Sequence, residues 1–269
     1  YVEWGNKYED IAVNIFEHMY DVQIYNAPLL LHEIYPFIGA SCDGFVIDEK
    51  NKEGYLIEIK CPYSRVPHGS IPVHYYEQPQ VQSNVTYVKK CAFFDCQLGE
   101  YLSEEEMWND NVSLYRGLII KYTVFDNLGH GSTKYFYSKK LFKLEKENKD
   151  KLEINEKENL YTSDIKLKCM DLKKSLIDEF DIFCENEKKE NNCDIFLEEI
   201  HYWYLKSFVR DDQMLDTVWL ETNYPKFKYI WNIIEHYKPM GLDVLNRAID
   251  YFNIRGMSLD LLEYDEIVN

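Results

Sequence analysis

Six residues, Tyr55–Lys60, read Tyr-Leu-Ile-Glu-Ile-Lys and constrain this chain more than any other segment. Apolar and charged side chains alternate there, which is the period of a strand. Cys61-Pro62 ends it, because proline cannot donate to a ladder. Residues i and i+2 of a strand face one side, so Glu58 and Lys60 project together. Thirteen residues separate Asp43-Gly44 from Glu58. Gly44–Ile47 reads as a second strand and Asp48–Gly54 as a polar turn. If the two strands pair, Asp43 lands at the end of the hairpin beside Glu58. Ile57 and Ile59 would face a core, leaving a half-buried strand whose acids face something specific.

Two carboxylates and a lysine so arranged suit phosphodiester hydrolysis. Two acids can hold Mg²⁺ through oxygen, with waters kept on the metal. Such a metal lowers the pKa of a bound water and neutralises phosphate charge. The lysine can orient that water and screen the transition state. A surface hairpin with an ordinary Glu–Lys pair would carry the same three residues, so the triad alone leaves both readings open. Its flanks sharpen it. Gly44 permits a tight backbone beside Asp43. Glu9 adds a third acid on the first helix. Tyr75-Tyr76-x3-Gln80-Val81-Gln82 opens a later helix, with two amides expected at its amphipathic edge.

The first helix is read from Ile11, Ile15, Phe16 and Met19 within Lys7–Tyr20. Leu29–Ile38 reads as strand broken by Pro36, His74–Val88 as helix despite Pro79, and Lys90–Cys96 and Leu118–Phe125 as strands. The chain then changes character. Lys143–Glu158 holds 11 charged residues in 16 and reads as a solvated helix or linker. Met170–Phe183, Ile195–Val209, Lys226–Tyr237 and Leu242–Phe252 read as helices, with a break at Met240-Gly241. The expected division is a core over 1–140, a charged connector over 141–160 and a helical extension over 161–269, packed on the core or on a partner.

Aromatics at 16% and apolar residues at 46% exclude wholesale disorder. The formal charge of −17 argues against a polybasic nucleic-acid coat. Residues 1–100 hold 7 basic and 14 acidic side chains, so duplex DNA would need a local cluster such as Lys60, Arg65, Lys89 and Lys90. The longest apolar run, Ala27–Leu31, is far below the ~20 residues of a membrane span. Seven cysteines without a C-x-x-C pair read as reduced thiols of an intracellular protein. The seven histidines form no H-x3-H or H-E-x-x-H and read as structural or surface residues. Tyr202-Trp203-Tyr204 and Trp231 read as core or interface rather than base-stacking residues. The chain opens without Met on a helical pattern, with no signal peptide, and is expected to be a fragment lacking an N-terminal segment.

Four motifs, in order, resemble the phage lambda-type exonucleases, a branch of the PD-(D/E)xK nucleases that includes YqaJ-type viral recombinases. Trp4-Gly5-Asn6-Lys7-Tyr8-Glu9 resembles W-G-x-x-x-E. Ser41-Cys42-Asp43-Gly44 resembles S-P-D-G, with Cys for Pro. Leu56–Pro62 resembles L-E-x-K-C-P, and Tyr76-x3-Gln80-Val81-Gln82 resembles Y-x-x-Q-V-Q with one extra residue. The match covers about residues 1–125.

The resemblance implies an α/β fold: a restriction-endonuclease-like core with a central mixed sheet flanked by helices, plus the C-terminal helical extension. It implies an exonuclease using Mg²⁺ (or Mn²⁺) that degrades one strand of linear double-stranded DNA from its 5′ end. That activity would serve viral DNA recombination, repair or replication, at a viral replication site or in the host cytoplasm if the source is a virus. Asp43 and Glu58 would ligate metal with the Ile59 carbonyl, and Glu9 would support the metal directly or through water. Lys60 would act on the attacking water, and Gln82 would position that water or the lysine. Ser41 would meet a 5′ phosphate, and Arg65 and Gln80 are further substrate-binding candidates. Partners would be DNA ends, a single-strand annealing protein and further copies of the chain. An endonuclease, a RecB/Cas4-type nuclease and a non-catalytic DNA-binding module on the same fold are the alternatives.

Overall fold

The computed structural model describes residues 2–49, 51–126, 129–138, 140–144, 154–191 and 193–255. Helix α1 spans Val2–Tyr20 and buries Tyr8, Ile11, Ala12, Ile15 and Phe16 as one stripe. Short strands β1 (Ile24–Tyr25), β2 (Leu30–Leu31) and β3 (Gly39–Ala40) lead into β4 (Gly44–Asp48) and β5 (Glu53–Lys60). β4 and β5 form the expected antiparallel hairpin, with Gly44 opposite Ile57. Its turn is fixed by Asp48, whose carboxylate accepts from the backbone and side-chain amides of Asn51 at 3.0 and 2.8 Å. A 3-10 turn, Val73–Tyr75, precedes α2 (Glu77–Thr86). Pro79 lies in the first turn of α2, where no intrahelical donor is lost, so it neither breaks nor kinks the helix.

The sheet continues through β6 (Lys90–Tyr101), then α3 (Glu104–Asn109), β7 (Tyr115–Phe125), β8 (Gly131–Tyr137) and β9 (Phe142–Lys143). Helix α4 (Ile154–Asn191) follows; residues 145–153 of the charged connector lie outside the described residues. Then comes β10 (Asp194–Met214), before α5 (Trp219–Tyr237) and α6 (Leu242–Arg255). The sheet order is β1-β4-β5-β6-β10-β7-β8, with β9 beside β7, and the β5–β6 pair is parallel among antiparallel neighbours. It is a mixed sheet in an α/β fold, as expected.

The helical reading of Ile195–Val209 is corrected, and with it the purely helical extension over 161–269. β10 runs through the centre of the sheet, between β6 and β7. Its register shifts at Leu197/Glu199 and again at Leu205/Ser207. A bulge moves the following residues to the opposite face. Ile195, Ile200 and Tyr202 therefore face α4, while Trp203 and Leu205 face α1. Beyond the second bulge it is Phe208 that meets Phe94 on the α1 side, at 6.0 Å between ring centroids. Two parity changes in 21 residues erase the alternation that marks a strand. Trp203 is core, as expected, and Trp231 stacks on Phe37.

Candidate active site

The site forms where β4 begins and β5 ends. Gly44 lets β1 close up on the start of β4: a Cβ there would stand 2.3 Å from Ile24 Cγ2 and 3.0 Å from the Tyr25 carbonyl. Asp43, just before β4, accepts the Ile59 backbone N–H on Oδ2 at 2.5 Å. Glu58 is wholly buried, not half-exposed as the alternation of β5 suggests. α1 covers the Ile57/Ile59 face, and α2 reaches Glu58 on the other. A strand with a parallel neighbour and both faces covered has no open side.

Each Glu58 oxygen has a partner. Lys60 donates to Oε1, and Gln82 Nε2 donates to Oε2 at 2.6 Å. The same Gln82 nitrogen donates to the Ser41 carbonyl at 3.0 Å. Gln82 thus grips the carboxylate itself, not the lysine. Its Oε1 is buried without a hydrogen-bond partner. Tyr75, which the sequence did not single out as a site residue, lies under both cations, with Lys60 Nζ 5.4 Å and the Arg65 guanidinium 5.8 Å from its ring centroid.

Burial raises the pKa of Glu58, and the Asp43 charge raises it further against the pull of Lys60 and Gln82. Burial also raises Asp43, although the Ile59 N–H and Lys60 favour its charged form. Glu9 is raised by burial and then by Asp43, so the Asp43 charge acts on both of the other acids. Burial alone would lower Lys60; the charge and hydrogen bond of Glu58 more than reverse this and hold it as an ammonium.

Glu9, Ile59, Lys60, Arg65 and Tyr75 line one cleft of about 490 Å³. Arg65 is held there by both oxygens of Asp95, a buried acid in the apolar run of β6. A lone acid among Phe93, Phe94 and Cys96 demands a partner, and that was the available signal for it. Ser41 is exposed at the entry to β4.

Two sequence expectations are corrected. Gln80 does not stand at an exposed edge. It is fully buried, and its Oε1 accepts the Asp216 backbone N–H at 3.0 Å. Residues two apart on a helix do not share a face, so Gln80 and Gln82 cannot both reach Glu58. Lys89 and Lys90 do not join the cleft either. Lys90 starts β6 and pairs with Glu53, whereas Lys60 lies opposite Asp95. Five residues of strand, roughly 16 Å, separate the two ends.

The donor set fits a hard cation. Among the described residues no group of three His, Cys, Asp or Glu side chains could hold a metal, so Glu9 completes no all-protein cage with Asp43 and Glu58. Mg²⁺ asks for less: it binds through one or two carboxylates and keeps several waters. Two desolvated carboxylates, one of them raised further by the charge of the other, are what such a cation would relieve. Burial pushes the flanking Cys61 thiol up and lifts Cys42 to about 11, so both are protonated thiols in the metal-free chain.

Residues 1–89, which carry Glu9, Ser41, Asp43, Glu58, Lys60, Arg65, Tyr75 and Gln82, match the YqaJ-like viral recombinase domain. The resemblance read from the four motifs therefore holds over those residues. Uncharacterized protein R354 of Acanthamoeba polyphaga mimivirus is 26% identical over 264 residues, 93% of this chain. This chain spans 46% of that relative's length. Two crystal structures of an alkaline exonuclease (LHK-Exo) from Laribacter hongkongensis, the second in complex with dAMP, align at TM-scores of 0.32 and 0.31. Both are 16% identical to this chain; the alignments cover 70% and 69% of it and 74% and 72% of theirs.

Proposed function

We propose that this chain is a Mg²⁺-dependent (or Mn²⁺-dependent) exodeoxyribonuclease on a restriction-endonuclease-like core, acting 5′→3′ on linear double-stranded DNA in viral recombination, repair or replication. One observation carries the reading: half-buried Asp43 and fully buried Glu58 stand where two paired strands meet, near enough for the Asp43 charge to raise Glu58, with Lys60 and Gln82 both on Glu58. A surface hairpin would leave such an acid in water. A desolvated pair of acids of like charge is the arrangement that metal-assisted hydrolysis uses. The YqaJ-like match over residues 1–89 supports the same reading.

Asp43, Glu58 and the Ile59 carbonyl would hold the cation, with Glu9 acting through water. When bound, it supplies Lewis-acid charge and a water of lowered pKa. The chain's own groups do the rest. Gln82 fixes the Glu58 carboxylate through one oxygen, and its unpartnered Oε1 can orient a water. Lys60, held as an ammonium, donates a proton or a hydrogen bond to charge building on phosphate oxygens. Arg65, held by Asp95 at the rim of the cleft, meets the phosphate backbone. Since the chain covers less than half of its mimivirus relative, an annealing partner or a further copy is part of the proposal only.

The test is digestion of linear duplexes labelled at either end, beside closed circles, with and without Mg²⁺. Lys60→Met and Glu58→Gln are expected to lower kcat by at least about 100-fold while DNA binding survives. Wild-type rates in Lys60→Met under saturating Mg²⁺ would remove the lysine from the mechanism.

A further inference from the structure

Helix α2 carries Gln82, yet little in its own sequence holds it in place. It has ten residues, below the length at which isolated helices persist. Val81, Ser83, Asn84, Val85 and Thr86 are all modest helix formers. Its position must come from contacts, and two buried amides on the side away from Glu58 converge on a single residue of the segment after β10. Gln80 Oε1 accepts the Asp216 N–H at 3.0 Å, and Asn84 Nδ2 donates to the Asp216 carbonyl at 3.0 Å. The same Asn84 nitrogen reaches the Gln80 carbonyl at 2.9 Å, closing the loop. Gln80 and Asn84 are both buried. Around them Leu220, at the start of α5, packs with Val85 and Ile38. Asp216 is itself held, because Leu215 N–H donates to the Lys89 carbonyl at 2.7 Å and Val218 N–H to the Asp216 carboxylate at 2.9 Å.

We infer that Gln80 and Asn84 are positioning residues: through them the Asp216 turn clamps α2 so that Gln82 stays on Glu58. The segment after the central strand is then part of the active-site framework, and Gln80 acts through Gln82 rather than on DNA. This rests on the nuclease reading for its effect on rate, but the clamp itself can be measured without catalysis.

The experiment uses the full chain with Gln80→Met, Gln82→Met and the double variant. Asn84→Ser carries the same test should Gln80→Met fail to fold. Amide hydrogen exchange of α2 in metal-free protein is expected to speed up by about tenfold or more in Gln80→Met, since a buried anchor is lost. On linear duplex with Mg²⁺, well below the melting temperature, kcat should fall about tenfold with KM within about twofold. The double variant should be no slower than Gln82→Met alone, the mark of two groups acting as one unit. A raised KM with unchanged kcat would make Gln80 a DNA contact. An additive double variant, or a lower melting temperature with unchanged kcat, would also overturn the inference. If the wild type hydrolyses no DNA, the functional reading fails by itself, and unchanged α2 exchange in Gln80→Met would separately refute the clamp.

Discussion

The Asp43 carboxylate accepts the Ile59 backbone N–H at 2.5 Å, fastening the residue that enters β4 to the strand that carries Glu58. That bond holds two acids together although each is desolvated and Glu58 is further raised by the Asp43 charge. The arrangement opposes folding in the metal-free chain and favours a cation.

Asp43→Asn separates these effects. Asparagine keeps an oxygen to accept the Ile59 N–H and removes the charge. The metal-free melting temperature should rise by about 2–4 °C, the worth of roughly 1 kcal/mol in a chain of this size. Hydrolysis should fall by at least about 100-fold. Thermal melts without divalent ions, beside a nuclease assay, check both. A melting temperature that falls would mean that the carboxylate contributes to the fold.

The same acids set a pH dependence. Glu58, Asp43 and Glu9 have folded pKa values above their ordinary ones, chiefly through burial. The native state therefore binds protons more readily than the unfolded chain. Stability from these groups is full below the ordinary carboxylate range and is lost as pH rises through the raised values. Metal-free protein should melt lower at neutral pH than just above the carboxylate range. The slope should be shallower in an Asp43→Asn/Glu58→Gln variant, which removes the local part while leaving the global acidic charge nearly intact. Equal slopes in the two proteins would assign the whole effect to net charge.

Gly44 is a packing prediction. Its backbone needs no left-handed conformation, since only Asp21, Lys52, Tyr87, Gly129 and Gly241 have positive φ among the described residues. What it needs is room, because Ile24 Cγ2 sits 2.3 Å from where a Cβ would stand. Gly44→Ala should destabilise the chain by about 1–3 kcal/mol. Ile24→Ala in the same chain should recover part of that loss by opening the space. Chemical denaturation measures both, and an unchanged Gly44→Ala midpoint would mean that β1 moves aside freely.

Much of this was legible in the residues. The α1 stripe, the β4–β5 hairpin and the Asp43/Glu58/Lys60 grouping follow from periods of 3.6 and 2, with one polar turn between. Failures arose where tertiary structure overrode period. The two bulges of β10 moved Ile200 out of step with Ile195 and Phe208 out of step with Trp203, so a central strand read as a helix. Periodicity placed the amides of α2 on one helix without deciding that Gln80 faces Asp216 while Gln82 faces Glu58. Tyr75 was missed because its role, a ring beneath two cations from β5 and the following loop, has no signature in spacing.

End preference is the remaining test of the proposed activity. Ser41 lies two residues before Asp43, exposed, and its carbonyl is pinned by the Gln82 amide. Its backbone is thereby fixed relative to Glu58, and a hydroxyl so anchored can serve a phosphate without first being ordered. An exonuclease needs such a contact at a terminal phosphate, while an endonuclease has no use for one. The chain should prefer a 5′-phosphorylated linear duplex over a 5′-hydroxyl end and over a covalently closed circle. Ser41→Ala should reduce the phosphate preference by about 1–3 kcal/mol, the range of a charge-assisted hydrogen bond. It should leave the rate on 5′-hydroxyl ends nearly unchanged, because the carbonyl that Gln82 holds is untouched. Competition kinetics on paired substrates read this directly. Rapid nicking of closed circles without dependence on the 5′ phosphate would move the protein to endonuclease chemistry on the same acids.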